Sequence, residues 1–421
     1  MSHSLLASNF MHFNYFPLFV HRYSTSLCFR VKNMAAINSF QELELHIAQK
    51  LFTLEPNKNA FFSTYSIIQA LALLLINHEK LNQSEQAHLL NLPWSNYLQI
   101  SENELDSIEK ITIKLANVIY ADKTLTLKDE VFRSIAKTKN SKIENLDFKN
   151  DPEVSRLLIN DFVAKNTNDL IKDLLPMNSI DSSTASVLVN CIYFYGNWLK
   201  PFEERATRPM TWFGSTDLKF DAMSQKNNKL MIMRDNQKFP GYEMARIPYT
   251  ERIGFYVILD REAKSYDQCY KNLVSGVDNN RIRQKSSEDS LGILNHFQAM
   301  KAETRSPGGG NDGITLILPK FNFSSSLKPK EVLEKLGVPM STTGLAIEPL
   351  VVDDVIHKAV IKVDEKGTEA AAATAMEMLE ECARISRPIP PFIVDRPFLF
   401  VIYDDQAEKM LFTGYLQEPE K

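Results

Sequence analysis

The stretch Val363–Thr374 reads VDEKGTEAAAAT and runs on through Ala375, Met376, Glu377, Met378 and Leu379. Taken as an extended strand, whose side chains alternate between two faces, it divides into two sets. One set is Thr368, Ala370, Ala372, Thr374, Met376 and Met378, all small, neutral or apolar. The other is Glu369, Ala371, Ala373, Ala375, Glu377 and Leu379, which holds both charges of the span. Such a segment can bury one face in a sheet. Its alanines present no bulk against insertion between two existing strands, and no proline deletes a backbone donor before Pro388. Composition alone favours a helix, because alanine has the highest helix propensity. The surrounding sequence must decide.

Around this stretch, Phe255–Leu259, Ile314–Leu318, Ala359–Val363, Phe398–Tyr403 and Met410–Phe412 are short apolar or alternating segments parted by turn residues, which predicts strands. Nearer the N-terminus, Phe40, Leu43, Leu45, Ile47, Ala48 and Leu51 recur at helical spacing, with Ser39 as N-cap. Asn59–Phe62 reads as a short extended piece, and Ser63 or Ser66 caps an apolar helix from Ile67 onward. Thr112–Tyr120 and Ser186–Tyr195 predict strands covered on both faces. Between them, the spacing of Leu158, Phe162, Ile171 and Leu174 predicts a helix over Leu157–Leu175 that stops at Pro176. Helices come early and strands late, without a βαβ rhythm, so the fold class is α+β in one domain.

Composition narrows the function. The chain has 421 residues, 44% hydrophobic and 24% charged, enough to bury a large core. A formal charge of −4 and a pI near 6.1 leave no positive excess to draw nucleic acid or an anionic membrane. The run Arg281, Arg283, Lys285 is short and reads as a solvated face. The longest apolar stretch, Ile67–Ile76 broken by Gln69, falls short of the ~20 residues that cross a bilayer. Cys28, Cys191, Cys269 and Cys382 are scattered, without the close spacing of a zinc or dithiol site; free thiols favour a reducing compartment. The glycine cluster SPGGGNDG at Ser306–Gly313 lacks the Lys-Ser or Lys-Thr of a phosphate loop and reads as a turn. There is no GxSxG, and the eight histidines form no HExxH or triad pattern, so neither an enzyme, a metal nor a cofactor is expected.

Residues 1–33 carry His3, His12, His21, Arg22, Arg30 and Lys32 and no acid, the first being Glu42. The apolar run Phe13–Val20 is broken by Asn14 and Pro17, nearer a transit peptide than a secretory signal. The alternative is an unstructured leader, with the folded domain spanning 34–421. The absence of a clear signal points to the cytoplasm; the extracellular space or an organelle are the alternatives.

Several segments together resemble the serpin family of peptidase inhibitors. They are NAFFSTYSI at Asn59–Ile67, LANVIY at Leu115–Tyr120, LVNCIYFYGNWLKPF at Leu188–Phe202, LPKF at Leu318–Phe321, VIHKAV at Val355–Val360, VDEKGTEAAAAT itself, and DRPFLFVI at Asp395–Ile402. They fall in the family's order and cover about Ser39 to Pro419. The resemblance implies three β-sheets, eight or nine helices and a reactive loop over about 365–391, which a target endopeptidase, a serine peptidase first of all, cuts. The cut loop then inserts as a new strand, against the helix reading, and traps the enzyme as an acyl intermediate; the inhibitor acts as a monomer.

The resemblance also assigns residues. Glu365, Gly367, Thr368, Glu369, Ala370, Ala371, Ala372, Ala373 and Thr374 match the family's hinge. Counting from Glu365 as the family does places the scissile bond between Glu381 and Cys382, which suits an acid-preferring serine peptidase or a caspase-like cysteine peptidase. Arg384 is the alternative, and would suit a trypsin-like enzyme. Ser63, Ser66, Asn190 and His357 match the shutter, a buried polar cluster beneath the opening sheet. Trp198, Lys320 and Glu365 match the breach at its top, where a surface ion pair of Lys320 and Glu365 is expected. Thr64 stands where the family often has proline, Ser341–Leu350 is shorter than usual and Glu262–Gly313 is longer. The competing reading is a non-inhibitory serpin acting as a carrier, storage protein or chaperone, whose hinge typically holds charged, bulky or proline residues.

Overall fold

The computed structural model describes residues 40–54, 57–75, 92, 111–135, 141–167, 169, 171–213, 218–227, 230–234, 242–260, 297, 300, 313–342, 344–368 and 390–419. The described residues open with helix α1 (Phe40–Leu51), strand β1 (Ala60–Phe62) and helix α2 (Thr64–Leu75). Then follow β2 (Ile111–Asp122), α3 (Asp129–Ile135), β3 (Ser141–Leu146), α4 (Pro152–Asn166) and β4 (Ser186–Asn197). From there strands dominate: β5 (Arg208–Thr211), β6 (Lys219–Asn227), β7 (Met231–Met233), β8 (Tyr242–Pro248), β9 (Ile253–Asp260), β10 (Ile314–Pro319) and β11 (Phe321–Leu327). After a short α5 (Lys330–Lys335) come β12 (Ser341–Thr342), β13 (Leu350–Val351), β14 (Asp354–Val363), β15 (Gly367–Thr368), β16 (Phe392–Ile393), β17 (Phe398–Asp404) and β18 (Lys409–Leu416). The fold is α+β.

Among the described residues three large sheets carry the strands, in the orders β1-β18-β17-β9-β8-β7, β16-β10-β6-β5 and β11-β14-β15-β4-β2-β3; β12 and β13 form a separate ribbon. The last of the three large sheets matters most here. Strands β2 and β4 run antiparallel from Ile111–Gly196 to Ala121–Ser186, while β14 lies parallel to β4 from Asp354–Val187 to Val360–Tyr193. Because opposed residues share a face, Val187, Val189 and Cys191 point one way, with Ile356, into a core closed by Ile159, Val163, Ile171 and Leu175. Leu188, Asn190, Ile192 and Phe194 point the other way, towards α2. Every side chain of α2 is buried, and apart from Thr64, Ser66, Gln69 and the Tyr65 hydroxyl its sequence is apolar.

Two expectations are corrected. The helix placed over Leu157–Leu175 is α4, which begins at Pro152 and ends at Asn166; Leu157 and Leu158 are half exposed, and Ser155, Arg156, Ile159, Asn160 and Val163 form its buried face. Polar side chains end it. The Thr167 hydroxyl turns back onto the Val163 carbonyl at 2.8 Å, and Asn160 takes both backbone groups of Leu175, accepting from its N–H at 2.8 Å and donating to its carbonyl at 3.0 Å. Helix α2 starts at Thr64 rather than Ile67, because the Ser63 hydroxyl accepts the Ser66 N–H at 3.0 Å as an N-cap. Ser66 is therefore within the helix. Thr64 occupies its first position, where proline is tolerated because its missing N–H has no helical partner anyway. Among the described residues no helix is long and apolar enough to cross a membrane.

Candidate functional site

Strand β14 does not leave the sheet at its end. The chain reverses at Asp364–Lys366, where the Asp364 carboxylate accepts the Lys366 N–H at 2.9 Å and the Gly367 N–H at 3.3 Å. Strand β15 then returns between β14 and β4, antiparallel to both: Thr368 lies opposite Val363 on one side and Gly196 on the other, and Gly367 lies opposite Asn197. Gly367 and Thr368, both among the residues expected to form the hinge, are thus paired within the sheet. Only glycine fits at 367, since a Cβ there would stand 2.2 Å from the Gly196 carbonyl oxygen and 2.7 Å from Asn197 Cα.

Thr368 is fully buried, and its hydroxyl shares a hydrogen bond with the hydroxyl of Tyr249. The Tyr249 ring is stacked on Trp198, centroids 4.5 Å apart and planes 7° from parallel, and burial pushes its phenol well above the usual range. Trp198 holds the turn as well: its indole N–H donates to the Asp364 carbonyl and its backbone N–H to the Lys366 carbonyl, each at 2.9 Å. Glu365 is anchored by Lys320, at 3.0 and 3.1 Å, and by the Thr207 hydroxyl at 2.8 Å. The expected surface pair is corrected here, because the Glu365 side chain is only 8% exposed while Lys320 reaches solvent at 38%. Burial pushes the Glu365 carboxyl up, but the bonds from Lys320 and Thr207 outweigh it and hold the group below the usual carboxylate range. The two residues border an open cleft of about 520 Å³ with Glu204, Thr207, Lys362, Asp364 and Lys366.

Lower in the same sheet a polar row crosses three strands. His357 on β14 lies opposite Asn190 on β4, which lies opposite Asn117 on β2. The Ser63 N–H donates to His357 Nε2 at 3.1 Å, so the proton sits on Nδ1 and is donated to Asn190 Oδ1. Burial pushes this imidazole down to about 3, so it stays neutral. Asn190 Nδ2 faces three acceptors with two protons: the Ser66 carbonyl at 3.0 Å, the Ser66 hydroxyl at 2.6 Å and Asn117 Oδ1. The row continues through Asn117 Nδ2 to Gln69 Oε1 at 3.4 Å and from Gln69 Nε2 to the Tyr65 hydroxyl at 2.9 Å. The Ser63 hydroxyl donates to the Leu411 carbonyl at 2.6 Å, tying the cluster to β18.

The structure therefore brings Ser63, Ser66, Asn190 and His357 into one network and Trp198, Lys320, Glu365, Gly367 and Thr368 into another. Glu369, Ala370, Ala371, Ala372, Ala373, Thr374, Glu381, Cys382 and Arg384 lie outside the described residues. Sequence reasoning missed Asn117, Gln69, Tyr249 and Thr207. Asn117 and Gln69 left a signal, as lone amides in otherwise apolar stretches; Tyr249 left none, for it follows Pro248 at the end of β8. No group of three or more His, Cys, Asp or Glu side chains suited to a metal occurs among the described residues.

A two-residue return strand thus lies between two central members of this sheet, above a buried polar row. The family model described as Serpin (serine protease inhibitor) matches residues 38–419. The chain is 31% identical over 378 residues to Iris of Ixodes ricinus, covering 86% of this chain and 92% of that protein. It is 29% identical over 415 residues to Serine protease inhibitor 88Ea of Drosophila melanogaster, covering 90% and 92%. Among solved structures, human glycosylated kallistatin superposes with a TM-score of 0.71 at 23% identity, over 92% of this chain and 97% of that one. The chain belongs to the serpin family.

Proposed function

We propose that this chain inhibits an endopeptidase as a single-use substrate. The observation that carries the reading is the place of Gly367 and Thr368, two residues already paired in a slot that the following chain can extend. The nucleophilic oxygen of a serine peptidase attacks the Glu381 carbonyl carbon, the amide bond to Cys382 breaks, and the new amine of Cys382 departs with the proton. Glu381 is left as an ester on the enzyme. Arg384 takes that place if the register differs, and a caspase-like enzyme would form a thioester instead.

Severed, the chain behind Thr368 continues down the slot between β4 and β14. About 14 residues at ~3.3 Å each carry the attached enzyme roughly 45 Å, far enough to pull its active site out of the geometry that deacylation needs. The driving force is main-chain pairing gained in a sheet that must part the β4–β14 ladder and reseal on both sides of the newcomer. The shutter residues Ser63, Ser66, Asn190 and His357 and the breach residues Trp198, Lys320 and Glu365 hold the loaded form until then. The domain that does this starts near Met34, and the residues before it are a leader.

The test is incubation with trypsin-, chymotrypsin-, glutamate- and aspartate-specific peptidases, followed by denaturing electrophoresis and sequencing of the released peptide. A covalent complex that survives denaturation, with a new N-terminus at Cys382, is the expected result. Cleavage by every enzyme without trapping would overturn the proposal in favour of a carrier or storage role.

A further inference from the structure

The segment that starts at Thr368 has a second anchorage at its far end. Strand β16 lies on the edge of the four-stranded sheet, with Phe392 opposite Leu316 and Ile393 opposite Ile317 of β10 in parallel. The Val394 N–H adds a bond to the Ile317 carbonyl at 2.9 Å. Just before β16 stand Pro390 and Pro391, which have no N–H and can offer only carbonyls. One side chain takes both: Arg234 Nη2 donates to the Pro390 carbonyl and, at 3.2 Å, to the Pro391 carbonyl. Its Nη1 stands 3.7 Å from Glu243 Oε1, a carboxylate only 10% exposed, which orients the guanidinium. Arg234 follows β7 and Glu243 belongs to β8, so the pair reaches from the edge of one sheet to the anchor of another.

The connectivity gives this contact a consequence. Residues 369–389 join the slot to β16, and once cut the upstream part is free to run down the sheet. Uncut, it can do so only by drawing Pro390, Pro391 and then β16 away from β10. We infer that Arg234 is a positioning residue that clamps the far end of the uncut loop and so keeps the loaded form from inserting its own loop before a peptidase arrives. The inference rests on the insertion reading above and adds to it a kinetic role for a residue outside hinge and shutter.

The test uses the full chain without any target enzyme. Wild type, Arg234→Ala and Arg234→Lys are held at physiological temperature, and aliquots are probed with trypsin and a glutamate-specific peptidase, by denaturing electrophoresis and by thermal melting. Loss of two bonds from a charged donor should make Arg234→Ala convert about tenfold faster into an uncut, cleavage-resistant species with a raised melting transition. Arg234→Lys, a point charge without the fork, should fall between the two. A variant that merely melts lower and converts at the wild-type rate would overturn the inference, since a purely structural loss cannot raise stability. Should Arg234→Ala fail to fold, Glu243→Gln must quicken conversion in the same direction by a smaller factor, and no change would count against the clamp. Failure of the parent reading looks different: cleaved wild type would then gain no thermal stability.

Discussion

Replacing Thr374 with valine tests where the inserted strand comes to rest. The pairs already formed, Thr368 with Val363 and with Gly196, fix the register of whatever follows. Continued in steps of two, it sets Ala370 between Ile361 and Phe194, Ala372 between Ala359 and Ile192, and Thr374 between His357 and Asn190. Insertion must break the bond from His357 Nδ1 to Asn190 Oδ1, and the residue arriving between them carries a hydroxyl that can accept from one and donate to the other. The same register puts Glu369 on the opposite face beside Lys362, a charge that needs a partner next to one that can supply it.

Valine keeps the shape and removes the hydroxyl. In the intact protein His357 and Asn190 bond each other directly, so intact stability should not change. In the cleaved form both groups would be buried without partners, each costing ~1–3 kcal/mol, so the cleaved variant should lose at least about 2 kcal/mol relative to cleaved wild type. Any part of that loss felt at the insertion barrier slows the step about tenfold per 1.4 kcal/mol, while deacylation by the enzyme is untouched. More inhibitor molecules should then be spent per enzyme trapped. The assay is the stoichiometry of inhibition, with denaturant unfolding of intact and cleaved forms. Equal stability of the two cleaved proteins, with equal stoichiometry, would refute the register.

The remaining predictions concern single contacts. Thr368→Arg would force a charge into a fully buried slot against Tyr249, which costs several kcal/mol, so β15 should leave the sheet and the protein should turn from inhibitor into substrate; unchanged trapping would refute the placement. The buried Thr64 hydroxyl has no hydrogen-bond partner among the described residues, so Thr64→Val should raise stability by about 1 kcal/mol in urea unfolding. His357 has a folded-state value of about 3, below its value in the unfolded chain. Its contribution is therefore complete above pH ~6.5 and is lost by ~1.4 kcal/mol per pH unit as pH falls towards 3; His357→Gln should remove that slope, and identical slopes would show that another group sets it.

How much could be read without coordinates follows from which interactions are local. Strands β2, β4, β9, β10 and β17 were legible because burial on one or both faces writes itself into consecutive residues. Helix α4 was misplaced because Leu157 and Leu158 mimic a core stripe, while the groups that fix its true face and end, Asn160, Arg156 and Thr167, are polar. Polar side chains that satisfy distant backbone carry no periodic signal. The same limit hid Tyr249: its importance comes from lying under Thr368, a contact across 119 positions of sequence.

The stretch from Gly367 onward shows why composition and context disagreed. An alanine run is the best helix former, yet the residues in front of it have lost that option: Gly367 is held where no Cβ fits, and Thr368 is paired on both sides. A helix beginning at Glu369 would have to turn away from a slot that has already accepted its first two residues. Small side chains are then useful for a different reason. Ala370 and Ala372 can pass between Phe194, Ile192, Ile361 and Ala359 without displacing side chains that are themselves in a close-packed core. In the proposed inserted form, alanine is the residue that offers least resistance to a sheet opening around it, and the turn at Asp364–Lys366 with the pairing of Gly367 and Thr368 favours a strand over the helix that composition alone would choose.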